Sequence, residues 1–479
     1  MKRPPEEPLH YSIFVRFYQT AVEPSLLFVC YYKIMNPDYD YIVVGAGIAG
    51  LGAAYTLSKK GGEVLVLESQ SSPGGRMKTN SYGGKKYEAG AGFILPHFKN
   101  IRALADELGC KIVPIPKTKN FTFMISDKRY LFDLAKDEES NFAVFHIDTV
   151  SEMVGVPFLS KQTKMHILMR VGRLYAKLIQ FKGKSATELS QEHDISIYNL
   201  LKKQFGKDFA DNIIDPIVYG AFTYSAKEMS ANLVFANLGD LMKTQYQTFE
   251  GGIGELNKRL AENLNVSYDS EVEKISKNRD RDLVEINFTT PVGAERLTAR
   301  KVIVAVPGDK VLSLINSPTQ CAKDFFDKVR YSSTARIFCT SNTDSFKLTN
   351  QFIISSSASQ KIASVLVKRN VYGSSEIEAV LRKEFAQQII SKNDVDLMVE
   401  IREDLSQILQ EDFTIDKIHR WSSSLPIFYP GYLEAIAEFK SKITSEDQIL
   451  FAGDYLDAPF SEGALRSGLE AAKHAIGQA

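Results

Sequence analysis

Tyr39-Asp-Tyr-Ile-Val-Val44, running directly into Gly45-Ala-Gly47-Ile-Ala-Gly50, is the stretch that decides how this chain folds. A short β-branched and aromatic run suits a buried parallel strand. The spacing of the glycines has a physical reason. Gly45 permits a tight turn, Gly47 lets a pyrophosphate approach the backbone, and Gly50 lets helix and strand pack closely. The spacing predicts an amphipathic helix from Ile48 to Lys60, stopped at Gly61-Gly62, with free N–H groups at its start for phosphates. Glu63 to Leu67 then reads as a second strand, closing with Glu68 and Ser69. An acid at that strand end accepts hydrogen bonds from ribose hydroxyls, and with no Arg beside it favours an unphosphorylated ribose.

Working outward, Ser72-Pro-Gly74-Gly75-Arg76 follows within a few residues. The glycine pair allows close approach to a second part of the same ligand, and Arg76 adds a cation. Tyr87-Glu-Ala-Gly90-Ala91-Gly92 is a small-residue run whose backbone suits a flat ring. Far along the chain, Gln448-Ile-Leu-Phe-Ala-Gly453-Asp454 reads as a strand ending in an acid. Phe460-Ser461-Glu462-Gly463-Ala464 then opens a helix with Ser461 as its N-cap. The dipole of that helix suits a flavin N1/C2=O edge, which becomes negative on reduction. A nicotinamide dehydrogenase would leave Gly453-Asp454 and this last helix without a role.

In this order the motifs resemble the flavin-dependent amine oxidase superfamily, which includes monoamine and polyamine oxidases, protoporphyrinogen oxidase and phytoene-desaturase-type enzymes. The resemblance implies an α/β fold: a discontinuous Rossmann-like FAD-binding domain (35–100, 245–310 and 440–479) and a second, mixed α+β substrate domain (101–244 and 311–439). It implies that Gly45, Gly47, Ile48, Ala49, Gly50, Glu68, Ser69, Gly74, Gly75 and Arg76 hold the ADP half. By the same likeness Gly90, Ala91 and Gly92 face the ring, and Val272, in an Asp269–Ile275 strand, lies by the adenine. Gly453 and Asp454 would bind the ribityl chain, and Glu462, Gly463 and Ala464 would sit at the flavin.

Asp215-Pro-Ile-Val-Tyr219-Gly-Ala-Phe222 and Arg420-Trp421 through Tyr432 are similar to protoporphyrinogen-oxidase-like members rather than monoamine oxidases. Amine oxidases typically carry a Lys near flavin N5; the corresponding strand here, about Tyr331 to Thr340, has Arg336 as its sole basic residue. Arg336 is a candidate site residue with a structural salt bridge as the alternative, and Phe460 matches one wall of an aromatic cage. No cysteine follows Cys339, so the FAD is expected to be non-covalent. No metal site emerges, and His97 reads as a loop or capping residue. Without an obvious acid/base pair, hydride transfer to flavin remains available, because it needs no dedicated base. The expected activity is dehydrogenation of a C–N or C–C bond in a hydrophobic or amine-type small molecule. A non-redox isomerase using reduced FAD and a non-catalytic flavin-binding protein are the alternatives.

Chain-wide properties narrow the class further. The 479 residues supply two or three domains' worth of core. Lys+Arg and Asp+Glu both number 58, which argues against bulk nucleic-acid binding. The 44% hydrophobic content excludes a disordered chain. Four scattered cysteines exclude a disulfide scaffold and fit a reducing, cytoplasmic setting. Residues 1–34 lack the features of a secretory signal and read either as a mis-called start ahead of Met35 or as a poorly ordered extension. From Met153 to Thr187 there is no Asp or Glu, and a helix over 160–182 carries Lys164, Arg170, Arg173, Lys177 and Lys182. Its Ile167, Leu168, Val171, Leu174, Tyr175 and Leu178 form one apolar face, either packed on its own domain or set against an anionic membrane.

Overall fold

The computed structural model describes residues 37–115, 120–133, 155–181, 184, 186–241, 246–278, 280–342, 350–369 and 375–478; the extension expected over 1–34 lies outside them. Two seven-stranded sheets organise the described residues. Tyr39–Val44 lies inside the first. Val64–Leu67 and the C-terminal half of Gly293–Val304 flank it in parallel, in register at Val43↔Val66 and Val43↔Ile303. Asn265–Ser267 extends the parallel part beyond Val64–Leu67, and Ile449–Phe451 pairs with Val302 to Val304. The first half of Gly293–Val304 instead pairs antiparallel with Leu283–Thr290, which pairs in turn with Glu271–Asn278. Stretches of sequence hundreds of residues apart thus share one sheet.

Alternation along the strands sends side chains to two covered faces. Val43, Val66, Ile303 and Leu450 pack with the helices Ile48–Lys59, Glu255–Glu262 and Ser461–Ala475. Ile42, Val44, Leu65, Leu67, Val302 and Val304 join the other core, with Phe325, Phe326 and Phe439. Burying each such aliphatic side chain contributes about 1.5–3 kcal/mol. The first and last helices of the sheet touch backbone to backbone: a Cβ on Gly468 would fall on the carbonyl of Ala49, and one on Gly52 would strike Leu465.

The second sheet runs, in spatial order, Thr414–Trp421, Thr334–Ser341, Ser375–Leu381, Ile362–Arg369, Asn350–Ile354, Asn120–Ile125 and Lys128–Asp133. The last two strands come from the 101–244 part of the substrate domain, whose other long elements are helices. Their turn is Ser126-Asp127 with Ser126 at φ 56, so the hairpin lacks the glycine or asparagine that marks such turns. Ala335, Ile337 and Cys339 face the helices Lys383–Ile389 and Asp394–Leu409. Arg336 and Phe338 point the opposite way, where Tyr87 meets Phe338 with ring centroids 4.8 Å apart. A helical layer completes this half, including Lys161–Phe181, Ile197–Phe205, Asp215–Phe222 and Ala231–Leu241.

Candidate active site

The glycine turn is built as its spacing demands. Gly45 sits at φ +105, a conformation that a side chain disfavours, and its N–H donates to Leu67 O at 2.8 Å. A Cβ on Gly50 would collide with the Gly45 carbonyl, whereas nothing lies within 4 Å of the corresponding position on Gly47, so a ligand can come up to that backbone. Gly74 bridges to Gly47, and its N–H donates to Ala46 O at 2.9 Å. Helix Ile48–Lys59 has no side-chain cap and no acid in its first turn, so the N–H groups of Ile48, Ala49 and Gly50 form an anion-binding terminus.

Glu68 is buried at the adjoining strand end. Its Oε2 accepts from Ala46 N at 2.6 Å and its Oε1 from Gln70 N at 2.9 Å, with Ser69 alongside. Each carboxylate oxygen keeps lone-pair capacity for a ribose hydroxyl. Ser270 N donates to Glu68 O at 2.8 Å, which brings buried Val272 to the same end of the sheet. These residues fit an adenine dinucleotide: a backbone cradle for phosphates, a fixed carboxylate for ribose and an apolar neighbour for the base.

Arg76 and Asp454, which the resemblance assigned to different parts of the cofactor, hold each other. Nη1 and Nη2 of the guanidinium donate to the two Asp454 oxygens at 2.8 Å, and Nη1 also donates to Ser424 O at 2.8 Å. Burial works to lower the Arg76 pKa, but Asp454 and the neighbouring Tyr331 outweigh it and hold it raised. The pair joins the front glycine motif to the C-terminal strand. Gly90 lies against the Arg76 carbonyl, and Ala91 N donates to that oxygen at 2.8 Å. With Gly92 next in the chain, the whole small-residue run is fixed beside this pair.

At the C-terminal helix, the expected N-cap shifts by one residue. Ser461 is the first helical residue and extended Phe460 is the N-cap, without a side-chain hydrogen bond. The Glu462 carboxylate is spent on a neighbour, accepting from Asn100 N (2.9 Å), Asn100 Nδ2 (2.7 Å) and Ile101 N (3.0 Å). It thereby caps the helix Lys99–Glu107, whose own N-cap is Phe98. What this terminus offers a ligand is therefore backbone, from Glu462, Gly463 and Ala464. Gly463 is needed because a Cβ there would meet the Ala458 carbonyl.

Aromatic rings stand beside these groups. Phe460 lies between Phe98 (centroids 6.1 Å) and Phe222 (5.8 Å, interplanar angle 70°). Phe93 stacks on Tyr246 at 4.4 Å, and burial raises the Tyr246 pKa. Phe222 ends its helix, and Thr223 follows at φ 63, an unfavourable conformation for a β-branched residue. A 2.7 Å bond between the Thr223 and Ser332 hydroxyls ties it to the segment that leads into the strand Thr334–Ser341. His97 is edge-on to Phe98 at 5.1 Å.

Arg336 belongs to another group. It pairs with Glu378 and lies in register with His419, whose ring is 4.6 Å from Trp421. Burial first, then Arg336, Lys78 and Lys417, lowers the His419 pKa. Trp421 Nε1 donates to Ala89 O at 2.6 Å, fastening this sheet face to the run ending at Gly92. Phe98, Tyr246 and the Trp421 contact escaped sequence reasoning. Their signal, a lone tryptophan and aromatics next to glycine runs, does not reveal who meets whom.

Residues 48–476 match the family model for flavin-containing amine oxidoreductase. Mitochondrial protoporphyrinogen oxidase of Nicotiana tabacum is 27% identical over 42% of this chain and 36% of the tobacco enzyme. The chain spans a little over a third of the length of that curated relative. Among solved structures, a triple mutant of putrescine oxidase superposes with a TM-score of 0.71 at 19% identity, covering 92% of this chain and 99% of that one. A fatty acid isomerase from P. acnes superposes at 0.66 with 14% identity, covering 90% and 97%. The chain belongs to the flavin-containing amine oxidoreductase family.

Proposed function

We propose that this member of the flavin-containing amine oxidoreductases uses non-covalent FAD to dehydrogenate a C–N or C–C bond of a hydrophobic or amine-type small molecule, in the manner of protoporphyrinogen oxidase rather than monoamine oxidase. The observation that carries the reading is the aromatic wall of Phe98, Phe222 and Phe460 next to the glycine cradle. The nearby carboxylates of Asp454 and Glu462 are already committed to Arg76 and to a helix terminus. Among the described residues the wall thus offers apolar contact while these two acids are engaged elsewhere, which favours a large delocalised substrate over a short diamine.

Bound FAD supplies a hydride acceptor at N5. Gly45, Gly47, Ile48, Ala49 and Gly50 would hold its phosphates, Glu68 and Ser69 its ribose, and Val272 its adenine. Gly74, Gly75 and Gly90 to Gly92 would shape the passage, with Gly453 and Asp454 beside the ribityl chain and Glu462 to Ala464 at the ring edge. Arg76 acts as the staple that fixes Asp454. Phe460 and Phe222, backed by buried Phe98, orient the substrate and exclude water, so that the C–H bond to be broken is held in one place. Cys339 packs toward the helices Lys383–Ile389 and Asp394–Leu409, on the opposite face of its strand from Phe338 and Tyr87, and burial pushes its thiol up to about 12.

The test is anaerobic mixing of the FAD-reconstituted protein with porphyrinogens, polyenes and primary amines. Bleaching of the flavin absorbance by a porphyrinogen or a polyene is expected. Bleaching by short amines alone overturns the preference for the protoporphyrinogen-oxidase manner, and a product of unchanged oxidation state that forms only with pre-reduced flavin overturns the dehydrogenation itself.

A further inference from the structure

Helix Lys161–Phe181 has two apolar faces, and the fold uses one of them. Ile167, Leu174, Leu178 and Phe181 are buried in the helical layer, where Phe181 meets Phe235 with centroids 6.1 Å apart. Leu168, which sequence periodicity placed with that set, points away from it. On the outward side Met165 is 55% exposed, Leu168 57%, Met169 70% and Ile179 75%. Gly172 and Ala176, both exposed, continue the same stripe. At 3.6 residues per turn these six positions fall in an arc of roughly 100°, opposite the buried side, and run for about 20 Å. Scattered exposed hydrophobics are ordinary; a continuous stripe on one helix is not.

Charge says what covers it. Lys161 lies at the N-terminal end of the stripe, Lys164 along one flank and Arg173 along the other, and no acid occurs between Met153 and Thr187. A second copy of this helix would set like charges against one another. A bilayer with anionic headgroups accepts both features, the apolar stripe entering the headgroup–acyl boundary and the lysine and arginine heads remaining among phosphates. No described helix is long and apolar enough to cross a membrane.

We propose that the outward face of Lys161–Phe181 is a docking surface for an anionic phospholipid bilayer, on which the protein lies without spanning it. The same helical layer delivers Phe222 to Phe460, so a protein docked this way presents its aromatic wall from the layer nearest the lipid.

The experiment is sedimentation of the FAD-loaded protein with vesicles of equal parts phosphatidylglycerol and phosphatidylcholine, and separately with phosphatidylcholine alone. Binding to the anionic vesicles that weakens with added salt is expected. The double variant Lys164→Glu/Arg173→Glu should weaken it at least tenfold, since each basic residue near such a surface is worth about fivefold. Met169→Gln/Ile179→Gln should weaken it several-fold, and because those side chains are exposed, both variants should keep their flavin spectrum. Arg170 is left intact because its guanidinium holds Gln204 O at 2.5 Å. Equal binding to both vesicle types, unchanged binding by the variants, or concentration-dependent dimerisation through this face without vesicle binding overturns the proposal.

Discussion

The two seven-stranded sheets serve the site in different ways. The first works through its ends: Ile42 to Val44 and Val64–Leu67 are buried on both faces, and chemistry begins where they stop, at Gly45 and Glu68. The second works through a face, where Arg336, His419 and Trp421 look across to Ala89 and Tyr87. A strand end presents backbone, which glycine spacing dictates and a sequence displays. A strand face presents side chains whose neighbours come from other strands, and pairing partners such as Arg336↔His419 cannot be counted off along the chain.

That contrast can be broken, and the largest effect belongs to the strand ends. Gly50→Val forces a side chain into the Gly45 carbonyl and should cost more than about 4 kcal/mol. Loss of bound flavin after desalting, together with a collapsed melting temperature, is the expected readout. A variant that retains yellow protein would show that the turn tolerates what its geometry forbids.

Next comes Arg76→Met, which leaves buried Asp454 unpaired and should cost about 3 kcal/mol in denaturant unfolding. Adding Asp454→Asn should restore much of that loss. Without such recovery, the pair is not the staple between the front motif and the C-terminal strand.

A smaller loss, about 1–2 kcal/mol, is expected for Glu462→Gln, because an amide oxygen replaces only part of the carboxylate cap on Asn100 and Ile101. The flavin spectrum should barely change. A large spectral shift with unchanged stability would instead place that carboxylate on the ring.

The sheet face should respond in the opposite sense. Trp421→Phe removes one hydrogen bond to Ala89, worth about 1 kcal/mol, and should alter KM and kcat while flavin retention holds. Last and smallest is the titration of His419, whose NMR midpoint should lie below the ordinary 6.5 and rise in Arg336→Met. The sign follows from the lowered folded value. The neutral ring's share of stability is present above 6.5 and fades as the pH falls through that lowered value. A midpoint above 6.5 would mean that the face is not the dry, cation-rich surface it is drawn as.

Legibility followed the same division. Tyr39–Val44 and the glycine turn could be read from residue order because they meet their partners through backbone, and Glu68 because its carboxylate reaches the backbone of that same turn; Asp454 could be named but its tie to Arg76 could not. The helix start at Ser461 was readable to within one residue, though the role of Glu462 was not, since its partner Asn100 lies on a separate helix. The Asn120–Ile125 and Lys128–Asp133 hairpin hid behind a turn with no glycine. Arg336 could be named as a candidate, but its tie to Glu378 depends on a neighbouring strand.

The contact of Gly468 with Ala49 reaches beyond the finished molecule. During translation the nucleotide turn leaves the ribosome long before the helix it leans on has been made. Until Ser461–Ala475 has emerged, the apolar side of Ile48–Lys59 lacks that cover. Closure of the glycine cradle therefore waits for a helix encoded far downstream, and a product cut short before Ser461 would lack both that cover and the backbone of Glu462 to Ala464.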